Sequence, residues 1–308
     1  MRIGIDLGGT KIEGVVLARQ EANDTQKSND VIVARRRVAT PVQDYLATLD
    51  AIAALIDALE TDVGVQRLPV GMGTPGAVST LTGTMKNCNS TCLNGRHLRE
   101  DLAALLGRPV RIANDADCLA LSEASDGAAA GAAVVFAAIL GTGVGGGIVV
   151  NGQLLQGPNA IAGEWGHNLL PGIGSLFVNE HRACYCGREN CIETYLSGPG
   201  LALTHRALGG DDLSAQAIAE RAGSDAIAAA ALDQYQEQLA YALAQIINLL
   251  DPQVIVLGGG LSNIASLYDA VPRFWLAHVF SDLVATRLLP AKFGDSSGVR
   301  GAARLSPV

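Results

Sequence analysis

Hydrophobic positions along this chain follow two periods, and the switches between them outline its elements. Apolar, β-branched runs at Arg2–Leu7 and Lys11–Ala18, separated by Gly8-Gly9-Thr10, predict two strands about a tight turn. A third strand is predicted over Val31–Val38. Tyr45, Leu49, Ile52, Ile56 and Leu59 then recur at helical spacing. Ahead of them, Thr40-Pro41-x-Gln43 reads as a helix start: a capping threonine, proline at the first helical position, glutamine three residues after the cap. Val70–Gly73 predicts a strand, and Arg99–Leu106 a helix ended by Gly107. Val110–Ala113 predicts a strand running into Asn114-Asp115.

The pattern then restarts. Val134–Leu140, a glycine turn and Ile148–Val150 echo the opening hairpin: IDLGGTKIEGVVL and AILGTGVGGGIVV read as two versions of one strand–glycine–strand unit. A helix is predicted over Leu232–Leu250, with Leu232, Tyr235, Leu239, Leu243, Ile246 and Leu250 on one face and Asp251-Pro252 as its stop. Strand Val254–Leu257 runs into Gly258-Gly259-Gly260. Strand–helix alternation with mixed hairpins predicts an α/β protein, and the echo predicts two related lobes with a ligand cleft between them. At 308 residues the chain is long enough for two cores.

One stretch tests this reading. Residues 127–150 carry no charge, which is long enough to span a bilayer. Five glycines within Gly141–Gly147 instead favour two short strands around a turn. The short apolar run before Asp6 does not make a secretory signal, so a soluble, cytoplasmic protein is expected. The net charge of −8 argues against a nucleic-acid or membrane-surface partner. The one basic cluster, Arg35-Arg36-Arg37, lies in a predicted strand that splits it between two faces.

Glycine is in excess, 36 of 308 residues, and its placement suggests chemistry. Three glycine turns each follow a strand: Gly8-Gly9-Thr10-Lys11, Gly141-Thr142-Gly143-Val144-Gly145 and Gly258-Gly259-Gly260. Backbone N–H groups in such turns can cradle phosphate where no Cβ intervenes. Gly141-x-Gly143-x-x-Gly146 matches the dinucleotide fingerprint as a string, but the strand-like Ile148-Val149-Val150 replaces the helix that fingerprint needs. No P-loop motif is present. Asp6, a carboxylate at a strand end beside the first turn, suits a Mg²⁺ ion with its waters.

Cys184-x-Cys186-x₄-Cys191 follows His167 by 17 residues. Three thiolates and an imidazole make a closed tetrahedral zinc set, which orders a loop rather than activating water. His181 is a rival fourth ligand because it is nearer in sequence. Asn114-Asp115 sits at a strand end, where α/β proteins collect catalytic groups. Glu164 and Glu193 flank the cysteine–histidine cluster and could accept hydrogen bonds from a polyol.

Taken together, these motifs resemble the ROK family of sugar kinases and repressors, within the actin/hexokinase-like (ribonuclease H-like) ATPases. The resemblance spans DLGGTK at 6–11, GTPGAV at 73–78, KNCNSTCLNG at 86–95, ANDADCLALSEA at 113–124 and LGTGVGGG at 140–147. It continues through GEWGHN at 163–168, CYCGRENCIETYLSG at 184–198, DPQVIVLGGGLSN at 251–263 and GDSSGVRGAA at 294–303. It implies a two-lobed fold with an interlobe cleft, divided into a small lobe, 1–114, with 297–308 packed back on it, and a large lobe, 115–296, carrying the zinc loop. It implies ATP-dependent phosphorylation of a hexose at its 6-hydroxyl, with Mg²⁺ and structural Zn²⁺, and a homodimer. Asp115 resembles the general base. Asn114, Glu164, His167 and Glu193 resemble sugar contacts, with Asn89 and Thr74-Pro75-Gly76 lining the same pocket. His167, Cys184, Cys186 and Cys191 resemble the zinc ligands, which favours His167 over His181. Gly8, Gly9, Thr10 and Lys11, with Gly141, Thr142, Gly143 and Gly145, flank the ATP phosphates by resemblance, and Gly258, Gly259 and Gly260 face the adenosine.

The wording at 86–95 and 294–303 resembles that of bacterial fructokinases of the mannofructokinase type, and the resemblance implies fructose as acceptor; mannose, glucose and N-acetylated amino sugars are the alternatives. Repressors of the family carry a helix-turn-helix ahead of the kinase-like part; with DLGGTK beginning at residue 6, a kinase rather than a repressor is expected. Two departures stand out. Cys92 replaces a bulky aromatic, tryptophan, which is expected to widen the pocket edge or alter sugar preference. Glu189-Asn190 stands where glycine is common, which puts the turn before Cys191 in question.

Overall fold

The computed structural model describes residues 1–20, 30–88, 90–170 and 181–306. Its strands are β1 (Arg2–Leu7), β2 (Lys11–Arg19), β3 (Asp30–Ala39), β4 (Val70–Thr74), β5 (Ala77–Val78), β6 (Met85–Lys86), β7 (Val110–Asn114), β8 (Val134–Leu140), β9 (Val144–Val150), β10 (Gln153–Leu154), β11 (Val254–Gly258) and β12 (Arg287–Pro290). Its helices are α1 (Tyr45–Val63), α2 (Leu98–Leu106), α3 (Asp115–Ser125), α4 (Glu193–Leu196), α5 (Gly198–Ala207), α6 (Ala215–Arg221), α7 (Ala226–Leu250), α8 (Leu267–Trp275) and α9 (Ser297–Arg304). The uncharged stretch 127–150 holds β8, a turn and β9, and among the described residues no helix is long and apolar enough to cross a membrane.

The chain divides into two compact units: residues 1–130, 152–162 and 295–308 form unit 1, and residues 131–151 and 163–294 form unit 2. The expected boundary after residue 114 therefore moves. Helix α3 stays with unit 1 because α9 packs against it: a Cβ on Gly301 of α9 would lie 1.7 Å from the carbonyl oxygen of Cys118 in α3.

The sheet of unit 1 runs β3-β2-β1-β4-β7. The β1–β2 and β2–β3 pairs are antiparallel, and β1–β4 and β4–β7 are parallel. One face carries α1, whose Tyr45, Leu49, Ile52, Ile56 and Leu59 are buried as their spacing predicts. The helix starts later than expected. Asp44 is its cap, accepting from Ala47 N at 3.0 Å, because Thr40 is already engaged: its hydroxyl donates to the carbonyl of Gly8 at 2.8 Å. The arginine cluster splits as its strand requires. Arg35 and Arg37 pair with buried Glu13, and Arg36 forms two hydrogen bonds to Asp62 of α1.

Helix α9 lies against β1 and β4 with almost no side-chain layer between. A Cβ on Gly71 would lie 1.9 Å from the carbonyl oxygen of Ala302. Buried charge locks the helix in place: Arg300 and Arg304 both pair with Asp126, and Arg304 also with Asp30.

Unit 2 repeats the plan. Its strands run β9-β8-β11-β12, with β8–β9 antiparallel and β8–β11 and β11–β12 parallel, as β1–β2, β1–β4 and β4–β7 are in unit 1. The echo seen in the sequence is thus a shared topology. Its core gathers Phe136, Leu140 and Ile255 with Tyr235, Leu239 and Leu243 of α7. Helix α7 begins at Ala226, six residues before the predicted start, because Asp225 caps it through Ile227 N and Ala228 N. Alanines there extend the helix without extending the large apolar stripe.

Gly301 has no positive φ, so Gly301→Ala tests sterics alone. Helix propensity favours alanine by about 1 kcal/mol. A Cβ 1.7 Å from a backbone oxygen outweighs that, and overpacking costs typically 1–3 kcal/mol or more. Urea titration is expected to show a net loss at unchanged m-value; equal or greater stability overturns this account of the α3–α9 contact.

Candidate active-site residues

The carboxyl ends of the parallel strands of unit 1 place several predicted residues side by side. Asp6 stands opposite Gly73 across β1 and β4, and Thr74 opposite Asn114 across β4 and β7. Asn114 caps α3, accepting from Ala116 N at 2.8 Å, and its amide donates to the carbonyl of Gly76 at 3.2 Å. One side chain thus ties the helix start to the Thr74-Pro75-Gly76 turn. Asp115 is the first residue of α3, exposed, with Oδ1 accepting from Ala116 N at 2.8 Å. A carboxylate there gains from the helix dipole. Thr74 is buried, and its hydroxyl is directed at the carbonyl of Ala113 in β7, at 3.5 Å. Gly76 has φ of 73°, and a Cβ would strike the carbonyl oxygen of Lys86 at 2.3 Å. Asn89 lies outside the described residues; its neighbour Cys88 is held by two hydrogen bonds with Asn94.

The turn of Gly8, Gly9, Thr10 and Lys11 is largely exposed, closed by Gly8 N donating to the carbonyl of Lys11 at 3.0 Å. Cys92 lines a cavity of about 350 Å³ beside it, with Gly9, Thr40, Gln43, Thr48 and Ser90. Asp6 carries the clearest electrostatic signature. Withdrawal from water, then the charges of Asp115 and Glu13, push its pKa up to about 6, against a lowering by Lys11. A desolvated carboxylate facing two other acids fits a divalent cation, which would supply the missing positive charge. Sequence reasoning missed the start of α9 here: a Cβ on Gly298 would lie 3.4 Å from Asp6 Oδ2.

In unit 2, Gly141 N donates to the carbonyl of Gly143 at 3.0 Å, closing the β8–β9 turn. Gly259, with φ of 81°, follows β11 so closely that a Cβ would lie 2.5 Å from the carbonyl oxygen of Leu140. The second and third glycine turns therefore come together, while Gly258 is buried at the end of β11. The glycines after Val144 have another use. The loop of Gly163, Glu164, Trp165, Gly166 and His167 packs backbone to backbone on β9: a Cβ on Gly163 would strike the carbonyl oxygen of Gly146 at 2.2 Å. Trp165 donates its indole N–H to the carbonyl of Gly145 at 2.8 Å and meets Phe136 edge to face. Glu164 is half-buried at the loop's head.

The cysteine–histidine cluster assembles around this loop. One ligand atom each from His167, Cys184, Cys186 and Cys191 lie within 4.8 Å of one another. His167 Nδ1 is 3.6 Å from Cys184 Sγ, and Cys186 Sγ is 3.6 Å from Cys191 Sγ. Zn–S bonds of about 2.3 Å in a tetrahedron separate sulfurs by roughly 3.8 Å, so the donor set fits zinc. His167 Nε2 is held by the Tyr185 hydroxyl at 2.9 Å. His181 is outside the cluster, exposed and 3.1 Å from Glu189. The Arg188 N–H and guanidinium draw the Cys186 thiol down to about 6, while burial and hydrogen bonds with the neighbouring thiols push Cys191 up to about 12. The questioned turn before Cys191 is built without glycine: Asn190 takes φ of 58°, a conformation asparagine tolerates, and its side chain binds Arg182 N and the Tyr195 hydroxyl. Glu193, at the start of α4, accepts from Val144 N at 2.9 Å, a bond to the glycine turn that its expected sugar role did not include.

The fold is the two-lobed, actin/hexokinase-like kinase fold. A model described as the ROK family matches residues 2–307, and the chain belongs to that family. It is a sugar kinase of that family. The chain is 41% identical to an N-acetyl-D-glucosamine kinase of Photobacterium profundum, with 99% of both chains covered. It is 39% identical to an N-acetylgalactosamine kinase of a Shewanella species, covering 99% of this chain and 96% of that one. It superposes on a ROK family glucokinase from Streptomyces griseus, solved with glucose and AMPPNP, at 28% identity and TM-score 0.75, over 99% and 98% of the two chains. None of these three is a fructokinase, so they give the expected fructokinase kinship no support.

Two outcomes test the site. Metal analysis is expected to find about one zinc per chain, retained in His181→Ala and lost in His167→Ala; retention in the latter overturns the ligand set. For Asp6, a folded pKa above the unfolded value means its contribution is fully present below about 3.8 and lost as pH rises through about 6. In EDTA, Asp6→Asn is therefore expected to be more stable than the parent at pH 8, by up to roughly 3 kcal/mol, with the gap closing towards pH 5. A gap independent of pH refutes the desolvated-acid reading.

Proposed function

We propose that this chain phosphorylates the 6-hydroxyl of a hexose with Asp115 as general base, and that D-fructose is its preferred acceptor. The observation that carries the base assignment is the placement of Asp115. It is an exposed carboxylate at a helix start, on the carboxyl edge of a parallel sheet, near enough to Asp6 to raise its pKa. Asp115 orients the acceptor hydroxyl and takes its proton. Asn114 keeps the helix start and the Thr74–Gly76 turn in register around the sugar. Asp6 would help hold Mg²⁺, which would supply positive charge beside the phosphates, and the turns of Gly8–Lys11 and Gly141–Gly145 would face those phosphates with the N–H groups not already bonded within the protein. ATP supplies the transferred phosphoryl group, and the residues supply position and charge, which is what this chemistry requires. His167, Cys184, Cys186 and Cys191 would hold a zinc ion, and these four residues tie together the loops that present Glu164 and Glu193.

Fructose is supported by the wording of residues 86–95 and 294–303. The second reading is an N-acetylated amino sugar, favoured by the names of the relatives at 41% and 39% identity. ADP release measured across fructose, mannose, glucose, N-acetylglucosamine and N-acetylgalactosamine separates them. Fructose is expected to give the highest kcat/KM; a higher value on an N-acetylated sugar replaces the acceptor and leaves the family untouched. In the same assay Asp115→Ala is expected to lower kcat by roughly 10²–10⁴-fold while sugar Kd stays within a few-fold. Near-normal turnover removes the base assignment.

A further inference from the structure

One segment of unit 2 grips the β8–β9 turn at two points. The Glu193 carboxylate accepts the Val144 N–H through Oε2 at 2.9 Å, and Gly198 N donates to the carbonyl of Gly141 at 2.8 Å. Both contacts come from residues 191–198, which start at a member of the cysteine–histidine cluster. Cys191 Sγ also lies 3.5 Å from the carbonyl oxygen of His167, and Ile192 N donates to the carbonyl of Asn168 at 2.8 Å, so the base of the segment is fixed on the same loop. Within the turn, Gly141 N donates to the carbonyl of Gly143 at 3.0 Å. Glycine at 141 and 143 removes the side-chain constraints that select one backbone conformation. A Cβ on Gly143 would lie 2.7 Å from Glu193 Oε2, so glycine there also makes room for the carboxylate.

A carboxylate is an odd neighbour for a phosphate-binding turn, since it repels the ligand. Its hydrogen bond to Val144 N–H is charge-assisted and therefore strong. We propose that Glu193 is a positioning residue for the nucleotide: by holding the Val144 N–H it fixes the direction in which the Gly141–Val144 turn offers its remaining N–H groups, and its anchorage beside Cys191 fixes Glu193. This rests on the reading of that turn as nucleotide-facing and goes beyond the sugar contact that resemblance assigns.

The test compares the parent with Glu193→Gln, Glu193→Ala and Gly143→Ala. Binding of a non-hydrolysable ATP analogue with Mg²⁺ is titrated without sugar, and amide exchange is followed at Val144. Glutamine keeps a carbonyl acceptor for the Val144 N–H, so Glu193→Gln is expected to hold nucleotide Kd within about threefold. Loss of a charged hydrogen bond predicts that Glu193→Ala weakens the nucleotide by about tenfold or more and speeds Val144 exchange by a similar factor. Gly143→Ala, which displaces the carboxylate without removing it, is expected to do the same. Unchanged nucleotide Kd and exchange in Glu193→Ala, with weakened sugar binding alone, overturn the proposal. Faster exchange with unchanged nucleotide affinity overturns the nucleotide role while leaving the kinase reading intact. Failure of the parent to bind the analogue overturns both.

Discussion

Backbone must touch backbone in both units, and the chemistry hangs on those contacts. In unit 1, Gly71 and Gly301 let α9 lie on β4 and α3 at a separation no side chain permits. That contact brings the start of α9 to the Asp6 carboxylate and holds α3, with Asp115 at its head, against the sheet. In unit 2, Gly146 and Gly163 let the histidine loop lie flat on β9. There it places His167 for the cysteines and Trp165 for the turn. The glycine excess is therefore divided between presenting N–H groups and thinning the layer between elements, and the second use sets where the first can occur.

The two units stabilise their functional groups by opposite means. Unit 1 concentrates acids at its site edge. Glu13 is buried, Asp6 is largely withdrawn from water, and Asp115 acts on Asp6. Glu13 is neutralised by Arg35 and Arg37 from β3, whereas Asp6 is left with a raised pKa. Lys11 offsets only part of the burial and acid repulsion at Asp6, an arrangement that costs stability and suits an exchangeable cation. Unit 2 instead uses a closed set of soft donors. Three thiols so close together compete for ionisation, and a divalent ion held there would settle that competition by binding them as thiolates.

The legible parts of the sequence were those set by local chemistry. Glycine turns after apolar runs, the buried stripes of α1 and α7, and the Cys-x-Cys spacing each state their constraint within a few residues. The cap of α1 was misread because Thr40 has a distant claim on it: Gly8, 32 residues earlier, takes its hydroxyl. The unit boundary differs because α3 answers to α9, which lies 174 residues further along the chain; the short stripe of Val299, Ala302 and Ala303 marks α9 as buried but does not say against which element. Asn190 looked like a defect in the cysteine loop because the sequence does not display φ. The structure turns that residue into a glycine substitute with a useful side chain, binding Arg182 and Tyr195.

The same limit applies to Glu193. By type and neighbourhood it is a polyol acceptor next to a metal ligand, and that reading exhausts what its position in the chain can say. Its partner, Val144, lies 49 residues earlier, in the turn that the glycine pattern had already marked for phosphate. A carboxylate that joins the cysteine–histidine cluster to a glycine turn makes the order of one depend on the order of the other. Segment 191–198 carries that order from Cys191 to the turn, and glycine at 143 leaves room for the carboxylate that does so.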